Sequence, residues 1–221
     1  MSRGEPLESF LAPAPGIQCE PEAVRQLARR IARGSANDVE AAGRLFEFAR
    51  DEVRYSVRVP FEPLEQYLAL NTLARGKGYC VQKAALLCAL ARSLGIPARL
   101  GFADIENSLL PESILEITGG KVLHFHGFVE WFIGGAWRKA TPSFDAALSR
   151  ERGWRLVEFV PGQDLLLPAT DLAGRPHIKY LKQRGWRHGV PLEEMLATWE
   201  AEVGPQRVAA WRAWTAQEAG A

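Results

Sequence analysis

The stretch GKGYCVQKAALLCALARSLGIPARLGFADI, residues 76–105, decides the fold. Its centre, Ala84 to Ala91, is the longest apolar run in the chain. The pattern predicts a buried helix from Cys80 to about Leu94, ended by Gly95 and Pro97. A strand follows over Arg99–Ile105. Gly78-Tyr79-Cys80 therefore sets a thiol in the first turn of a buried helix. The amides of that turn have no intrahelical partner, and the helix dipole is positive there. Both effects favour thiolate over thiol, so Cys80 is expected to be anionic and nucleophilic. Gly76 and Gly78 would let the backbone approach a substrate closely. The alternative for Cys80 is a small buried hydrophobe. Cys88, two turns on, is read as core, and Cys19 has no assigned role.

Outward from this helix, Pro21 opens a helix carrying Val24, Leu27, Ala28 and Ile31, stopped by Gly34. Asn37, with Glu40 three residues on, caps a second helix with Val39, Ala42, Phe46, Ala49 and Val53 on one face. Val53–Val59 reads as a short strand, and 60–79 as irregular with one helical turn. Residues 106–121 read as a loop. Val122–Ile133 and Ala136–Ala140 form a hairpin around Gly134-Gly135. Two helices are expected at the end, Leu192–Val203 and Pro205–Gln217. Helices followed by mostly antiparallel strands make an α+β fold. The expected organisation is an arm over 1–20, a core over 21–150 and an extension over 151–221 packed on that core.

A thiol nucleophile needs a base, and the base needs an orienting group. His124 and His126 sit in the first hairpin strand and share a face by the two-residue period. Spacing alone does not choose between them. The second strand runs into Ala140-Thr141-Pro142-Ser143-Phe144-Asp145, so Thr141 or Asp145 could orient an imidazole. The ordinary use of Asp145 is as a cap or turn residue.

Two segments, 76–105 and HGFVEWFIGGAWRKATPSFD over 126–145, together resemble the core of the transglutaminase-like superfamily. The resemblance runs over about 37–145. It rests on four motifs in order: Gly-x-Cys at a helix start, Leu94 to Arg99, His126-x-x-x-Glu130, and Trp137 leading to Thr141-Pro142. It implies a papain-like fold and a Cys-His-Asp triad, with Cys80 as nucleophile and His126, over His124, as its partner. The family's Asp before Pro falls on Thr141 here. The Ala-Thr-Pro-x-Phe-Asp ending resembles a bacterial subgroup, which makes Asp145 the expected third member and Thr141 the alternative. The implied chemistry is attack of Cys80 on an amide or ester carbonyl beside an imidazolium at His126. The backbone amide of Cys80 would form part of an oxyanion hole, with Gln82 and Asn71 as weaker candidates. Release of the thioester by water is the expected outcome, and transfer to an amine the alternative. A catalytically inactive peptide-binding or assembly module is the other reading.

Composition narrows the rest. The chain has 221 residues, 47% hydrophobic and 24% charged, enough for a core without disulfides or metals. Lys+Arg 27 against Asp+Glu 26 leaves a net charge of +1, which argues against a nucleic-acid binder. The three cysteines include no CxxC, and Cys80, His124 and His126 lack a fourth ligand at metal spacing, so no metal or cofactor is expected. The opening residues lack an apolar stretch, and no run is long enough to span a bilayer. A cytoplasmic enzyme acting on a peptide, protein or small amide is expected, without nucleic-acid or membrane partners. Asp164, Asp171, His177 and Lys179 read as a solvated loop.

Overall fold

A computed structural model describes residues 5–218. The first four residues of the expected arm lie outside them. Helices α1 (Glu22–Ile31) and α2 (Asp38–Asp51) lead to a two-residue strand, β1 (Arg54–Tyr55). α3 (Ala69–Arg75) and β2 (Lys77–Gly78) precede the buried helix α4 (Cys80–Ser93). Then come β3 (Ala98–Asn107), α5 (Glu112–Thr118), β4 (Val122–Ile133), β5 (Ala136–Ala140) and α6 (Ala146–Arg152). β6 (Ile178–Arg187), α7 (Leu192–Glu202) and α8 (Pro205–Glu218) complete the chain. The main sheet is antiparallel with order β5-β4-β3-β6. β1 and β2 form a small parallel pair.

The α+β expectation holds, and its cause is α4. Val81 and every residue from Ala84 to Ala91 are fully buried. A helix apolar on all sides must be wrapped, here by α1, α2 and α3 on one side and the sheet on the other. Asn37 caps α2 by accepting from the Glu40 amide at 3.0 Å, while Glu40 reaches back to the Ala36 amide. The hairpin turns at Gly134 and Gly135, both at positive φ, as a two-residue turn requires.

Four expectations needed correction. The strand after Val53 is only Arg54–Tyr55, because its sole partner, β2, has two residues. Residues 60–79 are more regular than expected, holding α3 and a 3-10 turn at Leu64–Tyr67. The 106–121 loop contains α5, starting after Pro111 and closed by Gly119 in the left-handed conformation. The 164–179 stretch is not simply a solvated loop. Asp171 and His177 are buried, Asp171 pairs with Arg175 at 2.6 Å, and β6 begins at Ile178.

The last two helices are tied to earlier parts of the chain. Trp199 on α7 donates to the His124 carbonyl at 3.1 Å, and Trp211 on α8 donates to the Val57 carbonyl at 2.9 Å. The helical tryptophan stripe therefore packs inward. Among the described residues, no helix is long and apolar enough to cross a membrane.

Candidate active site

Cys80 is the first residue of α4, and its side chain lines a cavity of about 330 Å3. His126 and His124, both on β4, line the same cavity. The helix start is held by Gln82, which accepts from the Tyr79 amide at 3.3 Å and donates to the Pro60 carbonyl at 2.8 Å. Tyr79 in turn packs its phenol against that of Tyr67, 2.6 Å away.

Strand and helix meet at Gly127. A Cβ there would stand 2.9 Å from Val81 Cγ2 and 3.0 Å from Val81 Cα. Only a glycine lets β4 come this close to the first turn of α4. The approach brings the Gly127 amide to the Cys80 sulfur, beside the amides of Val81 and Cys80 itself. These three N–H groups favour a thiolate.

They do not win. Burial pushes the Cys80 thiol up to about 11. Burial also pushes His126 down to about 3. At neutral pH the pair is therefore thiol and imidazole, both uncharged. Both directions run against the expected resting thiolate–imidazolium pair. The helix-terminus effect is worth at most about 2 kcal/mol, and the loss of water around both groups exceeds it.

The third position also differs from expectation. Asp145 is the N-cap of α6: Oδ1 accepts from the Leu148 amide at 2.9 Å, and Oδ2 from the Tyr55 amide at 2.8 Å. The capping use that competed with the triad reading is the one made. Thr141 is 1% exposed, and its side chain acts on the Tyr180 phenol. His126 Nε2 is buried without a partner among the described residues. Neither Asp145 nor Thr141 thus holds the His126 ring by a hydrogen bond. Gln82 and Asn71 do not line the cavity either. The Gln82 amide is spent on the helix start, and Asn71, exposed on α3, donates to the Glu65 carbonyl at 2.8 Å. Gly76 closes α3 at positive φ, and Gly78 makes room for Gln82.

Two of the sequence motifs meet in the sheet. Arg99 faces Glu130 across β3 and β4 and pairs with it at 2.7 Å. The Arg99 guanidinium also lies over Trp137 and Trp186, 4.1 and 4.3 Å from the ring centroids. Glu130 thus fixes the strand register near His126 without lining the cavity.

A bulge reshapes the histidine strand. Ala103 pairs with His126 but Ile105 pairs with Leu123, so His124 and Phe125 together stand opposite Asp104. Phe125 takes a φ of +57°, a strain of about 1–3 kcal/mol for a bulky side chain. Asp104 holds the bulge by accepting from the Phe125 amide at 3.2 Å. Its Oδ2 also lies 3.4 Å from His124 Nδ1. Residue spacing could not reveal this partner, because an unbulged strand places Asp104 differently.

The remaining wall is mostly apolar and aromatic, with Arg58, Arg152 and Arg207 also lining it. Ile114 and Ile117 come from α5, Phe144 from the β5–α6 turn, Leu148 from α6, and Trp199, Val208 and Trp211 from the last two helices. Among the described residues, no Asp or Glu lines the cavity. Among the described residues, no cluster of three or more His, Cys, Asp or Glu side chains is arranged to hold a metal.

The family model of the transglutaminase-like superfamily matches residues 25–142, more than half of the chain. The chain belongs to that superfamily. Among solved structures, it is similar to a candidate cysteine protease from Cytophaga hutchinsonii at 19% identity and TM-score 0.46, covering 82% of this chain and 54% of that one. It is also similar to the periplasmic domain of TgpA from Pseudomonas aeruginosa at 18% identity and TM-score 0.44, covering 63% and 48%. The chain thus spans about half the length of these structures. A search of curated proteins found no match.

Proposed function

We propose that this member of the superfamily is a cysteine enzyme that forms a thioester at Cys80 and releases it to water, cleaving an amide. The observation that carries the reading is the shared cavity. Cys80 at a helix start and His126 on the opposing strand open on one chamber, with the Gly127, Val81 and Cys80 amides gathered at the sulfur.

The uncharged resting pair sets the order of events. His126 takes the thiol proton as sulfur attacks the carbonyl, so charge separates only during reaction. The C–N bond breaks as the resulting imidazolium gives its proton to the leaving amine. Amides at the helix start are suited to stabilise the developing oxyanion, one such donor typically contributing about 10²–10³ in rate. The apolar wall fits an acyl donor with a bulky apolar or aromatic group.

A second reading is a non-catalytic binding module of the same fold. It is favoured by the His126 ring, which no carboxylate supports. Incubation with an N-arylacyl anilide, with and without a primary amine, separates the readings. Carboxylic acid as product supports hydrolysis. A new amide supports transferase chemistry. Saturable binding without product supports the module and overturns the proposal.

A further inference from the structure

The charge that lines the cavity is all of one sign. Arg58, Arg152 and Arg207 share its wall, and among the described residues no Asp or Glu does. The three reach it from separate elements: Arg58 from the segment after β1, Arg152 as the last residue of α6, and Arg207 from the first turn of α8. The whole chain is nearly neutral at +1, so this concentration of cations is local.

Depth separates the cations from the chemistry. Cys80 is 9% exposed and His126 3%. The Arg152 side chain is 44% exposed, and Arg207 is exposed as well. Sulfur and imidazole therefore lie at the inner end of the cavity, and these two arginines at its mouth.

Internal partners compensate the two only weakly. Arg152 pairs with its chain neighbour Glu151 at 3.3 Å, and the Glu151 side chain is 68% exposed. An ion pair so open to water contributes little and yields readily to another anion. Arg207 lies against the end of α5, where a Cβ on Gly119 would stand 3.1 Å from its Nε, and donates to the Val203 carbonyl at 3.4 Å. Among the described residues, no carboxylate pairs with Arg207. Arg58 is already engaged, its guanidinium 5.1 Å from the centre of the Trp214 ring.

A guanidinium fork matches a carboxylate with two parallel N–H···O bonds. Set at the mouth of an aromatic chamber, such forks select a ligand that is apolar at one end and anionic at the other. We propose that the cavity takes a carboxylate-bearing peptide. A bulky apolar residue lies against the aromatic wall, and a carboxylate, from an acidic side chain or a free chain end, is held by Arg152 and Arg207. The proposal deepens the thioester reading above and rests on it for the fate of the peptide, though not for its capture.

The test measures binding to Cys80→Ala, which lacks the nucleophile, through the fluorescence of Trp154, Trp199, Trp211 and Trp214 in the cavity wall. Three ligands differ in where a carboxylate stands: N-acetyl-Asn-Phe amide has none, N-acetyl-Asp-Phe amide has one on its side chain, and N-acetyl-Asn-Phe acid has one at its end. At low ionic strength, one charged ligand or both should bind about 10-fold tighter than the neutral one, or more. The ligand that gains identifies the source of the carboxylate. Arg152→Gln combined with Arg207→Gln should bring the charged-to-neutral ratio to about 1. Equal affinities for the three ligands, no binding of any, or an advantage that survives the double substitution overturns the proposal. Should the double variant fail to fold, salt decides. Raising the ionic strength to about 0.5 M should shrink the advantage, and an unaltered advantage overturns the proposal. The two readings fail separately. Absence of a Cys80 adduct in the unmodified protein would remove the thioester chemistry and leave carboxylate capture standing, whereas equal binding of the three ligands would remove the capture alone.

Discussion

Gly127 and Val81 are packed so closely that a methyl group on the first would lie 2.9 Å from Cγ2 of the second. This contact brings a strand amide to the Cys80 sulfur. Gly127→Ala must push β4 off the helix start. The expected cost is about 1–3 kcal/mol in denaturant unfolding. Acyl transfer should fall further than stability alone explains, because the amide moves away from the sulfur. Unchanged stability and rate would mean that the approach is not needed.

Thiol ionisation follows from burial. Cys80 is raised to about 11 from its ordinary 9, and His126 is too weakly basic to offset this. Alkylation of Cys80 by iodoacetamide, followed by peptide mapping, should keep rising as the pH passes 9. A rate already level below pH 7 would restore the resting ion pair.

Acid should destabilise the fold through its buried histidines. His126 and His177 are lowered by burial from 6.5 to about 3 and about 4. Between those values and 6.5 the unfolded chain binds protons that the folded protein does not. Stability is therefore lost as pH falls through 6.5 toward 4, each full unit for one group being worth about 1.4 kcal/mol. Urea unfolding at successive pH values measures it. His126→Gln should flatten part of the slope, and an unaltered slope would assign it elsewhere.

Lys83 acts in the same sense, in a higher pH window. It is fully buried, donates to the Arg50 and Val53 carbonyls, and is lowered by burial to about 7, with Asp145 and Asp51 partly offsetting. The folded protein then holds fewer protons than the unfolded chain between about 7 and 10.5. Its contribution rises with pH across that window. Relative to Lys83→Met, the unmodified protein should gain on the order of 1–3 kcal/mol from pH 7 to 9. Equal pH dependence of the two would contradict the assignment.

How far the sequence carried the fold depends on pattern length. The all-apolar α4 and the Gly134-Gly135 hairpin were legible because each signal is long or chemically specific. β6 was not, since IKYLKQRGWR alternates poorly and is interrupted by two register shifts against β3. α5 has seven residues, too short for a helical period to show. Cys80 was singled out by its place at a helix start and His126 by the family resemblance, and both line one cavity. Asp145 was misjudged because its carboxylate is used locally, as a cap. Gly127 carried a readable signal, a glycine inside a strand. The Asp104–His124 contact carried none, because it depends on a bulge. Burial, which opposes the expected ionisation states, could not be read in advance because desolvation depends on the whole fold, whereas the helix start is visible in a few residues.

The central claim is that Cys80 accepts an acyl group with help from His126. The direct measurement is peptide mapping by mass spectrometry after reaction with 4-nitrophenyl phenylacetate, on the unmodified protein, Cys80→Ala and His126→Ala. The account predicts one phenylacetyl group, on Cys80, in the unmodified protein and almost none in either variant. Acylation at another residue, or substrate cleavage that survives Cys80→Ala, would contradict it.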